Sequence, residues 1–235
     1  MLPRFASSCP ICLRWDRAGL CDDCVNCFAP EQPRCVTCGL LLPPHGGASC
    51  GACLLHPPPL IACAVAAPYA YPWIALIGQL KFHQAPALAR HLAAVLSARP
   101  EVAEQILRAD WIVPIPLAPH RLHQRGYNQA WELARHLIPR PHRGKLQADL
   151  LLRLPDADQR PQSALDRTER LRHMAHAFAP HPLHAARLQD RRVLLVDDVM
   201  TTGATLHSAA AALLGAGASA VAAVVFARTD APQAM

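Results

Sequence analysis

The segment on which the interpretation of this chain depends reads VLLVDDVMTTGAT and covers residues 193–205. Its first four residues are all apolar and predict a buried β-strand. Two carboxylates, Asp197 and Asp198, follow at the predicted end of that strand. The threonines and glycine after them predict the start of a helix, where unpaired backbone N–H groups and the helix dipole favour an anion. We therefore expect a strand, a ligand-binding turn and a helix.

The residue types in this segment suit a sugar phosphate. Two adjacent carboxylates repel each other unless something binds them, and a vicinal diol such as that of ribose donates hydrogens to both. The hydroxyls of Thr201, Thr202 and Thr205 would donate to a phosphate. Gly203 permits close approach of the backbone to such a ligand. An ordinary acidic turn with a threonine helix cap would explain one or two of these residues, but not all of them together.

Apolar and amphipathic runs alternate along most of the chain, which predicts an α/β fold with a largely parallel sheet flanked by helices. In such sheets ligands bind beyond the carboxyl ends of the strands, so the residues after each apolar run are the candidate site. Neither Gly-x-x-x-x-Gly-Lys nor Gly-x-Gly-x-x-Gly occurs, which excludes the usual nucleotide-binding loops. The runs are residues 61–69, 73–96, 111–115, 123–138, 193–196, 204–214 and 220–226.

The composition is that of a folded chain, since 52% of the 235 residues are hydrophobic and 17% are charged. Long disordered segments are therefore not expected. Lysine and arginine number 23 against 17 aspartate and glutamate, a formal net charge of +6. Nearly all of these cations are arginine, the side chain best suited to bidentate recognition of anions.

No segment is predicted to cross a membrane. The uncharged run over residues 204–227 is long enough, but Gly215 and Gly217 interrupt it, and the β-branched residues that follow indicate a strand. The first residues show no positively charged start followed by an apolar run, so no secretory signal is predicted. We therefore expect a cytoplasmic protein.

All 10 cysteines lie between Cys9 and Cys63, which divides the chain into a cysteine-rich domain at 1–58 and a second domain at 59–235. Four Cys-x-x-Cys knuckles predict two structural Zn²⁺ sites, because cytosolic thiols stay reduced. A disulfide framework or a redox dithiol explains four copies of the motif less well. The predicted zinc ligands are Cys9, Cys12, Cys21, Cys24, Cys35, Cys38, Cys50 and Cys53.

Three pairings of the knuckles are open. We favour the sequential one, first with second and third with fourth, because it closes the shortest loops. Cys27 could replace one of the ligands, whereas Cys63 lies in an apolar run and is predicted to be a small buried residue. The cysteine-rich domain has few large apolar groups, so zinc would have to supply its folding free energy.

Residues 193–205 resemble the phosphoribosyl-pyrophosphate-binding signature of type I phosphoribosyltransferases. Three further stretches narrow the resemblance to the ComF family of competence proteins, which also carries a cysteine-knuckle head. Residues 113–129 are similar to that family's pyrophosphate loop and following helix, residues 162–170 to its flexible loop, and residues 80–82 to an upstream Leu-Lys-aromatic element. The chain departs from the family pattern at Gln159, His173 and His176.

The resemblance implies a type I phosphoribosyltransferase-like sheet preceded by a double zinc ribbon, and it assigns roles to residues. Asp197 and Asp198 would hold the 2′ and 3′ hydroxyls of phosphoribosyl pyrophosphate (PRPP), while residues 201–205 cradle its 5′-phosphate, with Mg²⁺ bound alongside. The predicted catalytic residues are Asp197, Asp198, Arg121 and Arg125. The other predicted substrate contacts are Lys81, Pro116, Leu117, Gln162, Arg167, Arg170, Val199, Met200, Thr201, Thr202, Gly203, Ala204 and Thr205.

Arg121 and Arg125 are also supported by their spacing. They follow a predicted strand end and stand four residues apart, so on a helix they share a face and can clamp a diphosphate. A pair of solvated surface arginines is the alternative. An arginine-bearing loop over residues 153–172 would close on the departing pyrophosphate and exclude water.

Three functions are compatible with these features. The first is an enzyme that binds PRPP and Mg²⁺ and acts at the anomeric carbon of ribose. The resemblance implies that it serves DNA uptake or the use of DNA as a nutrient. The second is a non-catalytic PRPP sensor whose zinc head docks onto a DNA-translocation helicase or another competence protein. The third is a zinc-dependent transcription regulator, which the near-neutral head disfavours. Single-stranded DNA stays open as a partner, although aromatic residues, at 5%, are few.

Overall fold

The structure is a computed structural model that describes residues 7–16, 19–154 and 177–230. Its cysteine-rich start holds short elements: strands β1 (Ser7–Ser8) and β2 (Trp15–Asp16), which pair antiparallel, and helices α1 (Asp22–Phe28) and α2 (Gly51–Leu55). Each helix begins directly after a cysteine, Cys21 or Cys50. The second and fourth knuckles are therefore helical turns.

The rest of the described chain alternates strands and helices, as the pattern predicts. Two short 3₁₀ helices, at Arg140–Lys145 and Ala185–Leu188, join larger elements. The larger elements are β3 (Ala62–Pro68), α3 (Trp73–Phe82), α4 (Leu88–Ser97), α5 (Pro100–Arg108), β4 (Trp111–Pro114), α6 (Pro119–Arg125), α7 (Gln129–Leu137), β5 (Leu151–Arg153), β6 (Phe178–Pro180), β7 (Arg192–Met200), α8 (Ala204–Gly215) and β8 (Ala220–Arg228).

The central sheet has four parallel strands in the order β3-β8-β7-β4. The two middle strands, β7 and β8, are buried over almost their whole length. This burial explains why they read as continuous apolar runs rather than as alternating ones. A separate antiparallel pair, β5 and β6, lies outside this sheet. The predicted parallel α/β architecture is confirmed.

Helices cover both faces of the sheet. Because successive residues of a strand point to opposite faces, each strand contributes side chains to two cores. On one face, Leu194 and Val196 of β7 share a hydrophobic core with α3, α4, α5 and α7. On the other face, Val193 and Leu195 share a second core with α8. The carboxyl ends of β4 and β7 are thus left facing the loops that lead into α6 and α8, where ligand-binding residues are expected.

The cysteine-rich segment is packed against both faces of this sheet. Cys9, Cys21 and Cys24 belong to the core on the α3 and α4 face, while Cys35, Cys38 and Cys50 belong to the core on the α8 face. The backbone N–H of Cys63 in β3 also donates to the Val36 carbonyl at 2.8 Å. The head therefore straddles the outer strand β3. The domain boundary at residues 58 and 59 stays a prediction.

The strand prediction was too short at one place. We expected the strand to end at Val196, but β7 runs on to Met200, so Asp197 and Asp198 lie within it. Asp197 stands opposite Val225 of β8. Burying a carboxylate is costly unless it accepts hydrogen bonds or pairs with a cation. Both carboxylates have hydrogen-bonding contacts inside the fold, as described below.

The run over residues 204–227 forms α8, a turn and β8 rather than one long helix. With 12 residues, α8 is shorter than the roughly 20 that a bilayer requires. Across residues 7–16, 19–154 and 177–230, no helix combines the length and the apolar character needed to cross a membrane.

Candidate functional site

The acidic pair is buried beside a lysine from another element. Asp197 is 8% exposed and Asp198 is 2% exposed. Lys81, in the last turn of α3, places its Nζ 2.8 Å from Asp198 Oδ2, and Gln129 Nε2 lies 3.5 Å from Asp198 Oδ1. Asp197 Oδ1 accepts the backbone N–H of Asp198 at 2.9 Å. The pair is thus held in place before any ligand binds.

The surroundings of Asp197 shift its pKa. Burial and then the neighbouring charge of Asp198 raise the pKa of Asp197 well above its usual range, against the smaller opposing effects of the Asp198 backbone N–H and of Lys81. Without a ligand, the free energy of the site is therefore lowered by retaining a proton on this carboxyl. A diol or cation bound here would offset the repulsion that causes the shift.

Asp197→Asn is expected to stabilise the unliganded protein while weakening the site. A raised folded-state pKa means that the folded protein holds a proton that the unfolded chain loses, so stability falls as pH rises above the unfolded value near 4. Because an asparagine side chain cannot ionise, the variant should have the higher urea midpoint at pH 7.5, and the difference should shrink towards pH 4. Equal midpoints at both pH values would contradict this assignment.

The turn after β7 depends on a glycine. Gly203 has φ +88°, and a Cβ there would lie 2.5 Å from Met200 Cε and 2.9 Å from the His207 ring. Gly203 is also the residue before α8, whose first turn carries no acidic side chain. Ala204 N lies 3.4 Å from Thr202 Oγ1. The turn next to the carboxyl end of β7 therefore requires a glycine at position 203.

Gly203→Ala is expected to weaken phosphate binding and to destabilise the fold by about 1–3 kcal/mol, because a left-handed conformation and two close contacts oppose the methyl group. Thermal unfolding and titration with ribose 5-phosphate measure the two effects. Gly215→Ala is the matched control, since it changes another glycine at the opposite end of α8 where a Cβ meets nothing within 4 Å. A Gly203 variant as stable as the Gly215 variant would refute this argument.

Arg121 and Arg125 lie on one helix, α6, as their spacing predicts. Arg121 is exposed, while Arg125 is half-buried. Arg125 Nη1 donates to Gln129 Oε1 at 2.5 Å, and its guanidinium stands 5.4 Å from the centroid of the Phe82 ring. Burial lowers the pKa of Arg125, and the charge of Asp198 opposes that effect. Gln129 therefore links this arginine to the acidic pair.

The segment between α6 and α7 is anchored by Asn128, the N-cap residue of α7. Its Oδ1 accepts the N–H of Ala130 at 2.9 Å, and its Nδ2 donates to the Ile115 carbonyl at 2.9 Å. The tyrosine before it, Tyr127, donates from its hydroxyl to the Leu80 carbonyl. The helix bearing the two arginines is thus tied both to the end of β4 and to the end of α3.

The structure brings most of the predicted site residues to this edge of the sheet. Pro116 and Leu117 are half-buried and lie between β4 and α6, at the same edge as the turn after β7. Gln129 and Asn128 were not predicted as site residues, although both belong to the stretch that resembles the ComF family. Three predicted contacts, Gln162, Arg167 and Arg170, lie outside the described residues.

The eight predicted zinc ligands form two clusters in the sequential pairing that we favoured. In each cluster the four Sγ atoms all lie within 4.8 Å of one another. We call Cys9, Cys12, Cys21 and Cys24 the first cysteine cluster, and Cys35, Cys38, Cys50 and Cys53 the second.

The geometry and chemistry of both clusters fit a zinc ion. Zn–S bonds of about 2.3 Å in a tetrahedron place sulfurs roughly 3.8 Å apart. The Sγ atoms of Cys12 and Cys21 are 3.6 Å apart, and those of Cys38 and Cys50 are 3.7 Å apart. Such closed sets of four thiolates are typical of structural zinc rather than catalytic zinc.

Backbone N–H groups lower the pKa of one thiol in each cluster. Burial would raise the pKa of Cys9, but the N–H groups of Cys12, Cys21 and Ile11 outweigh it and lower that pKa to about 6. Cys35 is affected in the same way, and its pKa is also lowered to about 6. A thiolate is the form that binds zinc.

The other two cysteines stand apart from the clusters. Cys27 is exposed and belongs to neither, so the alternative in which it replaces a ligand is not supported. Cys63 is buried, as predicted, and its Sγ lies 3.8 Å from Met200 Sδ. Burial raises the pKa of Cys63 to about 12, so it stays a neutral thiol.

A separate cavity of about 570 Å³ opens on the far side of β3 from β8. It is lined by residues 30–36, β3 and α5, and it contains none of the residues predicted to bind the sugar phosphate. The candidate site is therefore the open, polar edge at the ends of β4 and β7, not this cavity.

Comparisons with known proteins agree with this arrangement. The phosphoribosyl transferase domain family matches residues 132–234. The DNA utilization protein YhgH of Escherichia coli is 33% identical over 225 residues, which cover 94% of this chain and 95% of that protein. Competence protein F of Haemophilus influenzae is 32% identical over 198 residues, 80% of this chain and 81% of the relative. Competence protein ComFC of Bacillus subtilis is 38% identical over 109 residues, 46% and 40% of the two chains.

A parallel sheet with an acidic pair and a glycine turn at its carboxyl edge, in a chain that matches this domain, defines a protein of the phosphoribosyltransferase fold. The two four-cysteine clusters and the relatives matched over nearly their whole length make the assignment more specific. The chain belongs to the ComF family, as its motifs indicate.

Proposed function

We propose that this protein binds PRPP with Mg²⁺ at the carboxyl edge of its sheet and breaks or forms a bond at the anomeric carbon of the ribose. The observation that carries the proposal is the pairing of Asp197 and Asp198 with the adjacent Gly203 turn. Diol acceptors and phosphate donors thus lie in succession along one strand and the helix after it.

The positions of the charged groups support this assignment. Asp197 and Asp198 accept the ribose hydroxyls, and the turn into α8 donates to the 5′-phosphate. Arg121 and Arg125 enter from α6 and neutralise pyrophosphate oxygens, since guanidinium groups bind such anions bidentately. Bound Mg²⁺ would supply further positive charge to the departing pyrophosphate. Catalysis by this chain's own residues would then be largely electrostatic, as the anomeric carbon–oxygen bond breaks and negative charge develops on the leaving group.

In this proposal Lys81 also acts as a counterion of the acidic pair before the ligand binds. Its ion pair with Asp198 neutralises one buried carboxylate of the pair, and a ligand hydroxyl or cation would compete for the same oxygen. Lys81 is then free to turn towards the pyrophosphate. The lysine therefore acts as a temporary counterion for Asp198 while the site is unliganded.

The cellular setting is proposed from the relatives. The names of the Escherichia coli and Haemophilus influenzae proteins refer to DNA utilization and competence. We propose that this chain serves the same processes from the cytoplasmic side, with the two zinc ribbons as structural elements. The phosphoribosyl acceptor is left to an acceptor screen, because no described residue identifies a base or an amine.

Calorimetric titration with PRPP, with and without Mg²⁺, tests the site. Magnesium-dependent binding is the expected result, and pyrophosphate release in a screen of nucleobases, amines and single-stranded DNA would show turnover. Intact binding with every acceptor unproductive would favour a PRPP sensor that docks a helicase through its zinc head. No binding by the zinc-loaded protein would refute the proposed site.

A further inference from the structure

We infer that Arg228 is a positioning residue for the 5′-phosphate, because it turns two successive peptide groups so that their N–H bonds face the ligand. The inference rests on the proposed function and deepens it. Arg228 is the last residue of β8, the neighbour of β7 in the sheet. It is 7% exposed and lies under the turn formed by Met200, Thr201 and Thr202.

The contacts of Arg228 are with backbone carbonyls of that turn. Arg228 Nη1 donates to the Met200 carbonyl at 3.3 Å and to the Thr201 carbonyl. The Met200 carbonyl also accepts the N–H of Thr229 at 3.0 Å. Both carbonyls of the turn are therefore directed down into the protein, towards the end of β8.

The direction of these carbonyls determines the direction of the neighbouring N–H groups. In a planar trans peptide, the C=O of one residue and the N–H of the next point in opposite directions. The N–H groups of Thr201 and Thr202 consequently point away from Arg228. Both threonines are exposed, so these donors face the side from which a ligand arrives. Successive N–H groups of this kind form an anion-binding concavity.

The charge beneath the turn is also suited to an anion. No carboxylate in the described part of the chain forms an ion pair with Arg228, whereas the neighbouring half-buried Arg34 is paired with Asp230 at 3.2 Å. His207, whose ring lies against Gly203, adds no charge of its own, because burial and then Arg228 lower its pKa. A phosphate above the turn would thus interact with a buried cation as well as with the N–H donors.

Arg228→Met tests this function, because methionine keeps much of the apolar volume but donates no hydrogen bond. We expect affinity for ribose 5-phosphate and for PRPP to fall about 10- to 100-fold, the loss expected for charge-assisted hydrogen bonds, while affinity for Mg²⁺-pyrophosphate changes little. Arg34→Met is the matched control, because it removes a neighbouring half-buried arginine whose bonds go to the Gly39 carbonyl and to Asp230 instead of to the turn. Calorimetry measures the affinities, and thermal unfolding checks the fold of each variant.

A second measurement does not depend on the variant folding. In the ¹⁵N-labelled intact protein, ribose 5-phosphate should shift the backbone amide signals of Thr201 and Thr202 more than those elsewhere in the sheet. A folded Arg228→Met that binds ribose 5-phosphate as tightly as the intact protein would overturn the inference and leave the proposed function standing. Unchanged Thr201 and Thr202 signals at saturation would overturn the inference and would also count against the phosphate position in the proposed function. Failure of the intact protein to bind either ligand would overturn both.

Discussion

Replacing both Asp197 and Asp198 with alanine should lower the affinity for Mg²⁺-PRPP by roughly 100-fold or more, because two charge-assisted hydrogen bonds to the ribose are lost. The variant should still fold, since the pair is a source of repulsion rather than of stability in the unliganded protein. Because Lys81 then loses its ion pair with buried Asp198, a modest change in the free energy of unfolding is expected. Calorimetry at a fixed magnesium concentration measures the effect.

The control for this variant is Asp149→Ala, which removes a half-exposed carboxylate that pairs only with His184 in the described structure. It should bind PRPP like the intact protein. If the double variant bound PRPP with unchanged affinity, the acidic pair would be a structural feature of β7, and the sugar would have to be held by other residues.

Substitution of Cys35 and Cys38 by serine should remove one of two zinc ions per chain and unfold much of the protein. Apparent zinc-binding free energies in sites of this kind are about 10–16 kcal/mol, which is as large as the whole stability of a typical domain, about 5–15 kcal/mol. The effect should spread beyond the head, because Cys35 and Cys38 share a hydrophobic core with β3 and α8. Metal analysis and thermal unfolding measure the two consequences.

Cys27→Ser is the matched control, because it changes an exposed cysteine that lies outside both clusters. It should keep both zinc ions and unfold at the same temperature as the intact protein. The corresponding double substitution at Cys9 and Cys12 should also remove one zinc ion. Well under one zinc per intact, reduced chain would rule out the zinc assignment altogether.

The features that could be predicted from sequence are those in which the informative residues are close in the chain. The cysteine pairing follows from loop length, and the strand, glycine turn and helix of residues 193–205 follow from one continuous pattern. Arg121 and Arg125 share a helix because four residues separate them. In each case local spacing determines the geometry, and the structure shows the same arrangement, except that β7 ends at Met200 and not at Val196.

The features that could not be predicted depend on contacts between distant segments. β7 continues through Asp197 and Asp198 because Lys81 and Gln129, from two other elements, satisfy Asp198. Arg228 looks in the sequence like a polar residue that ends an apolar strand. Only the pairing of β8 with β7 places its guanidinium under Met200 and Thr201. No local pattern contains that information.

The cysteine-rich head straddles β3, and this has a consequence for solubility when zinc is lost. β3 is an outer strand of an otherwise open sheet, and exposed outer strands offer unpaired backbone groups that recruit other chains. The Val36 carbonyl accepts the N–H of Cys63, and Arg99 donates to the Ala66 carbonyl at 2.9 Å, so the head and the residue before α5 occupy part of that edge. Chelation of zinc should therefore expose the edge of β3 and cause the chains to aggregate, which light scattering during titration with a chelator would record.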